Sequence, residues 1–406
     1  MSLRSWSARL GAGLAGLVMG ATLMLAVQGS AVVPGRTGRP IEPVKRLEKP
    51  PLETMLAWTP GMMPPGFAAK ARRLDAVDHA VVVSSGTAWL TASHSASGPL
   101  VDNPRGGYAI PLEVAGVATD PYRPFLPPGA RRVLLDLDEG RVVLGETSAE
   151  LRNLGTGATL SFGKRKVKVA GVLSDELLGA HELLASRRTA AKLTARGGEL
   201  RPRYALVAPR PGARAGRVRT RLGTILPPGT PMQVRLPGTT PFFRQGDAVL
   251  PPVTLKSLFG EFAARRAAGG FLRMSPGWEH ANIKRDTVPI IGRVLCNRAI
   301  LSQLEGAMRE IKRSGLAHLV DPGDYGGCYS PRFINRVPGL GISHHAWGIA
   351  LDVNVSRNPF GTQPDQDRRI VDVFSKWGFT WGGAWLVPDG MHFEYIRPPE
   401  NLSGKA

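Results

Sequence analysis

Two imidazoles and one carboxylate near the end of the chain have the types and spacing to share one divalent metal, with a spare carboxylate close by in sequence. The stretch Ser343-His344-His345-Ala346-Trp347-Gly348-Ile349-Ala350-Leu351-Asp352 offers His345 and Asp352. Farther on, Asp389-Gly390-Met391-His392-Phe393-Glu394 offers His392, with an acid three residues before it. Neutral imidazole and carboxylate both suit zinc, and a catalytic zinc site takes three protein ligands and keeps one position open. His345, Asp352 and His392 are the candidate ligands. Asp389 is the spare acid, suited to take a proton from attacking water and hand it to a leaving amine. Arg332, in Cys328-Tyr329-Ser330-Pro331-Arg332, can grip a carboxylate bidentately or support a developing oxyanion. Ser343, Asn354 and Glu394 are candidates to hold the ligand rings from behind. Gly348 and Ala350 suit a place where backbones pack closely.

One His and one Asp at this spacing occur often by chance. The argument rests on both motifs in one order, with their glycine and tryptophan neighbours. The pattern S-x-H-x-x-G-x-A-x-D, then Trp381-Gly382-Gly383-Ala384-Trp385, then D-G-M-H-F-E resembles a known family. These are the zinc D-alanyl-D-alanine carboxypeptidases (VanY-like) and L-alanyl-D-glutamate endopeptidases of bacterial walls and phage endolysins, whose fold is shared with the hedgehog signalling domain. The resemblance runs over residues 288–399. It implies His345, Asp352 and His392 as zinc ligands, Asp389 as general base, and Arg332 as the family's upstream arginine. Some members carry an acid where this chain has Ala384, which leaves the bond that is cut undecided. The rival reading is a non-catalytic zinc-binding protein of the envelope, for binding or scaffolding. Asp389 separates the two, since a binder has no need of it.

The elements that must position these groups read as an α+β fold. A C-terminal antiparallel sheet with flanking helices carries the metal, preceded by a second α+β domain and an N-terminal hydrophobic helix. Around the site, a strand is expected near Val288–Leu295 and a helix over Arg298–Ser314, stopped by Gly315. Leu351–Val355 alternates as a strand, which puts Asp352 and Asn354 on one face. Pro364–Lys376 reads as a helix and Met391–Tyr395 as a strand with His392 and Glu394 together. Upstream, Ala80–Val83, Val133–Leu137 and Lys166–Val172 read as strands, and Ser148–Leu154 as a helical turn. The run from Val143 through Val172 resembles the extracytoplasmic core domain of MacB-type transporter permeases, which implies a binding or scaffolding module. His79, His94 and His181 have no partner spacing. Leu250-Pro251-Pro252 is expected to break structure. A helix then follows from Thr254 to Arg266, with Leu255, Leu258, Phe259 and Phe262 on one side, ended by Gly269-Gly270.

Boundaries follow from composition. Residues 1–32 are a signal peptide or membrane anchor: Arg4 and Arg9 precede an uncharged apolar run, Leu10–Val27, and Gly29-Ser30-Ala31 suits cleavage. Residues 33–66 are a proline-rich spacer, 67–240 the α+β binding or scaffold domain, 241–284 a joint with one helix, and 285–400 the metal domain. Export places the protein in the envelope or outside the cell, free or held by residues 10–27. There the two cysteines, Cys296 and Cys328, are expected to pair. The formal net charge is +20, which attracts polyanions. With no nucleic-acid motif present, the partners expected are peptidoglycan stem peptides and an anionic wall polymer or lipid.

Overall fold

The structure is a computed structural model of the 406-residue chain and describes residues 53–195, 198–236 and 250–396. The apolar run Leu10–Val27 lies outside them. Among the described residues no helix is long and apolar enough to cross a membrane. The fold is α+β throughout.

Residues 55–235 build a ten-stranded sheet. Its strands are β1 Met55–Trp58, β2 Val77–Leu90, β3 Ala92–His94, β4 Ile110–Val117, β5 Val142–Gly145, β6 Thr159–Phe162, β7 Arg165–Leu173, β8 Leu183–Ser186, β9 Arg201–Pro209 and β10 Gln233–Arg235. They lie in the order β10-β1-β9-β2-β4-β8-β5-β7-β6-β3. Neighbours are antiparallel except β4 with β8 and β5 with β7. Alternation explains how one strand serves two cores. Leu56 and Trp58 enter one apolar cluster, while Met55 and Ala57 enter the opposite one.

Two upstream expectations are corrected here. The proline-rich spacer was expected to reach residue 66 without a packed element, yet Met55–Trp58 is an interior strand between β9 and β10. Four apolar residues suffice because both faces are covered. Val133–Leu137, expected as a strand, is a helix over Val133–Asp138. Leu134 and Leu137 are buried while Leu135 is 64% exposed, a spacing of three that a strand cannot present to one core.

The joint differs as well. Pro251 and Pro252 start a helix instead of breaking one: Pro251 caps Pro252–Phe259 and Pro252 takes its first position, where the missing N–H costs nothing. The helix stops at Gly260, short of Arg266, and residues 264–274 form a hairpin, β11 Ala264–Arg266 and β12 Leu272–Met274. Gly269 and Gly270 make its turn. A buried charge cluster fastens this joint to the sheet. Lys256 Nζ lies 2.8 Å from Glu182 Oε1 and 3.1 Å from Glu261 Oε1, and Arg152 reaches both carboxylates. Arg152, Glu182 and Lys256 are each at most 1% exposed. Removing one member of such a set strands a buried charge, at a cost of about 3–5 kcal/mol.

The C-terminal part begins with a hairpin, β13 Ile283–Val288 and β14 Gly292–Asn297, so the expected strand Val288–Leu295 contains a turn. Its first half is too polar to be recognised as a strand. Helix Leu301–Arg313 ends at Ser314 before Gly315. Helix Arg368–Lys376 starts later than Pro364, because Asp367 caps it by accepting from Arg369 N. The site's sheet is β15 Tyr325–Gly327, β16 Ala350–Val353, β17 Phe379–Trp381 and β18 His392–Tyr395, in the order β15-β16-β18-β17.

Candidate metal centre

Register brings the site together. In the antiparallel pair β16 and β18, Asp352 stands directly opposite His392, and Ala350 opposite Glu394. His345 arrives from a single turn of 3-10 helix, His344–Trp347, packed in front of β16. Gly348 closes that turn at φ 67°, where a Cβ would lie 2.8 Å from Asn297 N. The close packing expected behind the ligands is therefore real, and it admits only glycine.

His345, Asp352 and His392 each offer one ligand atom, and the three lie within 4.8 Å of one another. His392 Nδ1 is 3.2 Å from Asp352 Oδ1, and His345 Nε2 is 3.3 Å from Asp352 Oδ2. Despite the second approach, the buried His345 Nε2 makes no hydrogen bond. A buried nitrogen in that condition is costly unless something else satisfies it. Asp389 Oδ1 is buried without a hydrogen-bond partner as well. Two imidazoles and a carboxylate whose ligand atoms gather this closely fit a divalent cation with nitrogen and oxygen preferences.

The outer nitrogens are held. His345 Nδ1 donates to the Cys328 carbonyl at 2.9 Å, which leaves Nε2 as the lone pair facing the site. Glu394 sits behind both other rings, 2.7 Å from His344 Nδ1 and 3.4 Å from His392 Nε2. His344 is thus buried and engaged. Asn354 does something else: φ 54° ends the strand there, and its side chain serves Leu319 O, Asp321 N and Gln366, not a ligand ring. Ser343 is buried and uses its backbone, donating to Arg332 O and accepting from Ala346 N.

Electrostatics follow from these contacts. Burial works to raise the Asp352 carboxyl, but His345 and His392 outweigh it and hold it well below the usual range. Burial works to lower His392, but Asp352 and Glu394 outweigh it and raise it to about 10. Such a ring keeps a proton until another cation takes its place. Burial raises Asp389, with Asp352 adding to it and the nearby imidazoles and Arg332 opposing.

The cleft of about 550 Å³ over these groups is lined by His345, Asp352, Arg332, Ser330, Phe271, Asn335 and Arg336. Trp385 packs its ring 5.2 Å from that of His392, and Trp381 donates to Gly390 O. Phe271, Asn335 and Arg336 carry no motif and were not legible as site residues. Cys296 and Cys328 are disulfide-bonded, with Cα atoms 5.4 Å apart. Among the upstream histidines, His181 is buried, bonded to Leu178 O and stacked on Tyr204.

No curated protein matches the chain. Among solved structures, the periplasmic region of MacB from Actinobacillus actinomycetemcomitans is similar at 16% identity, over 45% of this chain and 88% of that one, with TM-score 0.32. The extracellular domain of the noncanonic ABC-type transporter YknZ from Gram-positive bacteria is similar at 13% identity, over 45% and 98%, with TM-score 0.30. A permease domain from Porphyromonas gingivalis is similar at 15% identity, over 52% and 100%, with TM-score 0.32. Residues 338–395, which carry His345, Asp352, Asp389 and His392, match the family model described as D-alanyl-D-alanine carboxypeptidase.

Proposed function

We propose that the chain is an exported zinc metallopeptidase that hydrolyses peptide bonds in peptidoglycan stem peptides. The observation that carries this is the convergence of His345, Asp352 and His392, with the unpaired, buried Asp389 Oδ1, inside the stretch matching a peptidase family. The three residues would hold the zinc ion, which when bound supplies a Lewis acid and makes water reactive at neutral pH. Asp389 takes a proton at Oδ1 and passes it to the leaving amine, and its burial favours keeping that proton between the two steps. Arg332, beside the ligands in the cleft, binds a substrate carboxylate or the carbonyl oxygen as charge develops. Glu394 and the Cys328 carbonyl keep the ligand rings from turning. Trp385 packs beside the His392 ring.

Export is supported by the apolar run Leu10–Val27 after two arginines and by the disulfide. The +20 net charge supports retention on an anionic wall polymer or lipid. Basic residues recur through 131–235, among them the exposed Lys164 in the turn before β7 and Arg165-Lys166 at its start. Retention of this kind must weaken with salt, since screening acts beyond about 8 Å at physiological ionic strength.

The test is mass spectrometry of muropeptides incubated with the purified protein. Loss of terminal D-Ala identifies a carboxypeptidase, and a cut after L-Ala identifies an endopeptidase. A zinc-loaded protein that leaves every muropeptide intact is a binding protein and ends the catalytic reading.

A further inference from the structure

The cleft contains more positive charge than a single carboxylate needs. Arg332 and Arg336 both line it, beside His345 and Asp352. Neither guanidinium has an ion-pair partner among the described residues. The acid that also lines the cleft, Asp352, is engaged by the two imidazoles.

Arg336 is placed there by a strained and tightly built segment. Residues 333–342 form a hairpin-like excursion: Phe333 bridges Ile342, and Ile334 N donates to Gly341 O at 2.9 Å. Its two stems are Arg332 and Ser343, themselves joined by a hydrogen bond at 3.0 Å. Asn335 and Arg336 hold φ values of 50° and 58°, a region that non-glycine residues enter at a cost. The surroundings enforce it. Phe333 N donates to Gly270 O, and a Cβ at Gly270 would lie 2.0 Å from Arg336 O, so only glycine admits the contact. The Arg336 guanidinium then lies over the Phe271 ring, 5.1 Å from its centre. That stacking fixes its direction and leaves its edge donors for a ligand.

We propose that Arg336 forms an anion subsite of the cleft, so that the preferred ligand is an acidic peptide with a second carboxylate besides the one that Arg332 receives. The cleft's volume is that of a small-peptide site. A guanidinium pairs with carboxylate in a planar, two-bonded geometry, which gives direction as well as charge. This rests on the reading of the cleft as a peptide site, and it names a feature of the peptide.

The test compares L-Ala-γ-D-Glu-L-Lys-D-Ala-D-Ala with its analogue in which the glutamate α-carboxylate is amidated. Dissociation constants are measured by calorimetry on full-length protein, metal-free and also zinc-loaded in the Asp389→Asn background that blocks turnover, with Arg336 intact, Arg336→Ala or Arg336→Lys. Wild type is expected to prefer the acid peptide about tenfold, the size of one charge-assisted contact. Arg336→Ala should bind both peptides as wild type binds the amide, and Arg336→Lys should keep part of the preference. Unchanged affinity for the amide shows that the variant cleft is intact. Equal binding of both peptides by wild type, or a preference that survives in Arg336→Ala, overturns the subsite while leaving the peptidase reading in place. Failure of wild type to bind either peptide overturns both.

Discussion

The Cys328 carbonyl accepts from His345 Nδ1 at 2.9 Å, and the sulfur of the same residue is bonded to Cys296. One residue therefore links the covalent staple to the ring that faces the metal position. Cys296 lies on β14, at the front of the C-terminal part, so the staple fixes β14 against the segment holding His345.

Breaking that link should loosen the metal. In a Cys296→Ser, Cys328→Ser double variant, zinc affinity is expected to fall by about tenfold or more, as when a group behind a ligand is lost. Stability should fall by roughly 3–4 kcal/mol for a loop of 32 residues. Competition with a chelator, well below the variant's melting temperature, separates the two effects. Unchanged affinity in the folded variant would show that the carbonyl holds its place unaided.

Asp389 tests the proton path. Asp389→Asn keeps the size and loses the ability to accept a proton. Zinc content should survive while turnover falls about 10²-fold or more. Turnover equal to wild type would move the proton to another group.

The upstream sheet contributes to the cleft from a distance. Arg203 Nη2 donates to Gly339 O at 2.9 Å, and Trp89 meets Phe333 edge-on at 6.3 Å between ring centres. Both hold the excursion 333–342 that bears Arg336. Arg203→Ala should leave zinc content unchanged, speed hydrogen exchange at 333–342 and lower kcat/KM about tenfold, since small misplacements are costly. Wild-type exchange and kinetics would show the excursion to be rigid by itself.

A stability measurement tests burial in the same sheet domain. Asp175 is buried and raised by that burial, even though its oxygens accept from Thr147 N and Oγ1. A carboxyl raised in the folded state adds stability below its unfolded value, about 3.9, and loses it as pH rises through the folded value. Asp175→Asn removes this loss. In urea unfolding, the variant should gain on wild type between pH 4 and pH 7. A difference that is flat or reversed between those pH values would contradict the assignment.

The metal triad was legible because both motifs stand in one order with their glycine and tryptophan neighbours. Spacing by two residues puts His392 beside Glu394, and register then sets Asp352 opposite His392. The cysteine pair was legible for lack of any other partner. What escaped depends on tertiary contact. Asn354 looked like a strand residue, but its positive φ turns it to a different network. Phe271 and Arg336 lie far apart in the chain and meet only through the close approach at Gly270. Val133–Leu137 has strand composition, and its helix is visible only in the exposure of Leu135.

Metal analysis of the purified full-length protein bears most directly on the centre. One zinc per chain is expected in wild type, and loss of both zinc and muropeptide cleavage in His345→Ala and in His392→Ala. Wild-type protein that binds no zinc when it is supplied, or full zinc retention in both variants, would contradict the assignment of His345, Asp352 and His392 as a catalytic metal site.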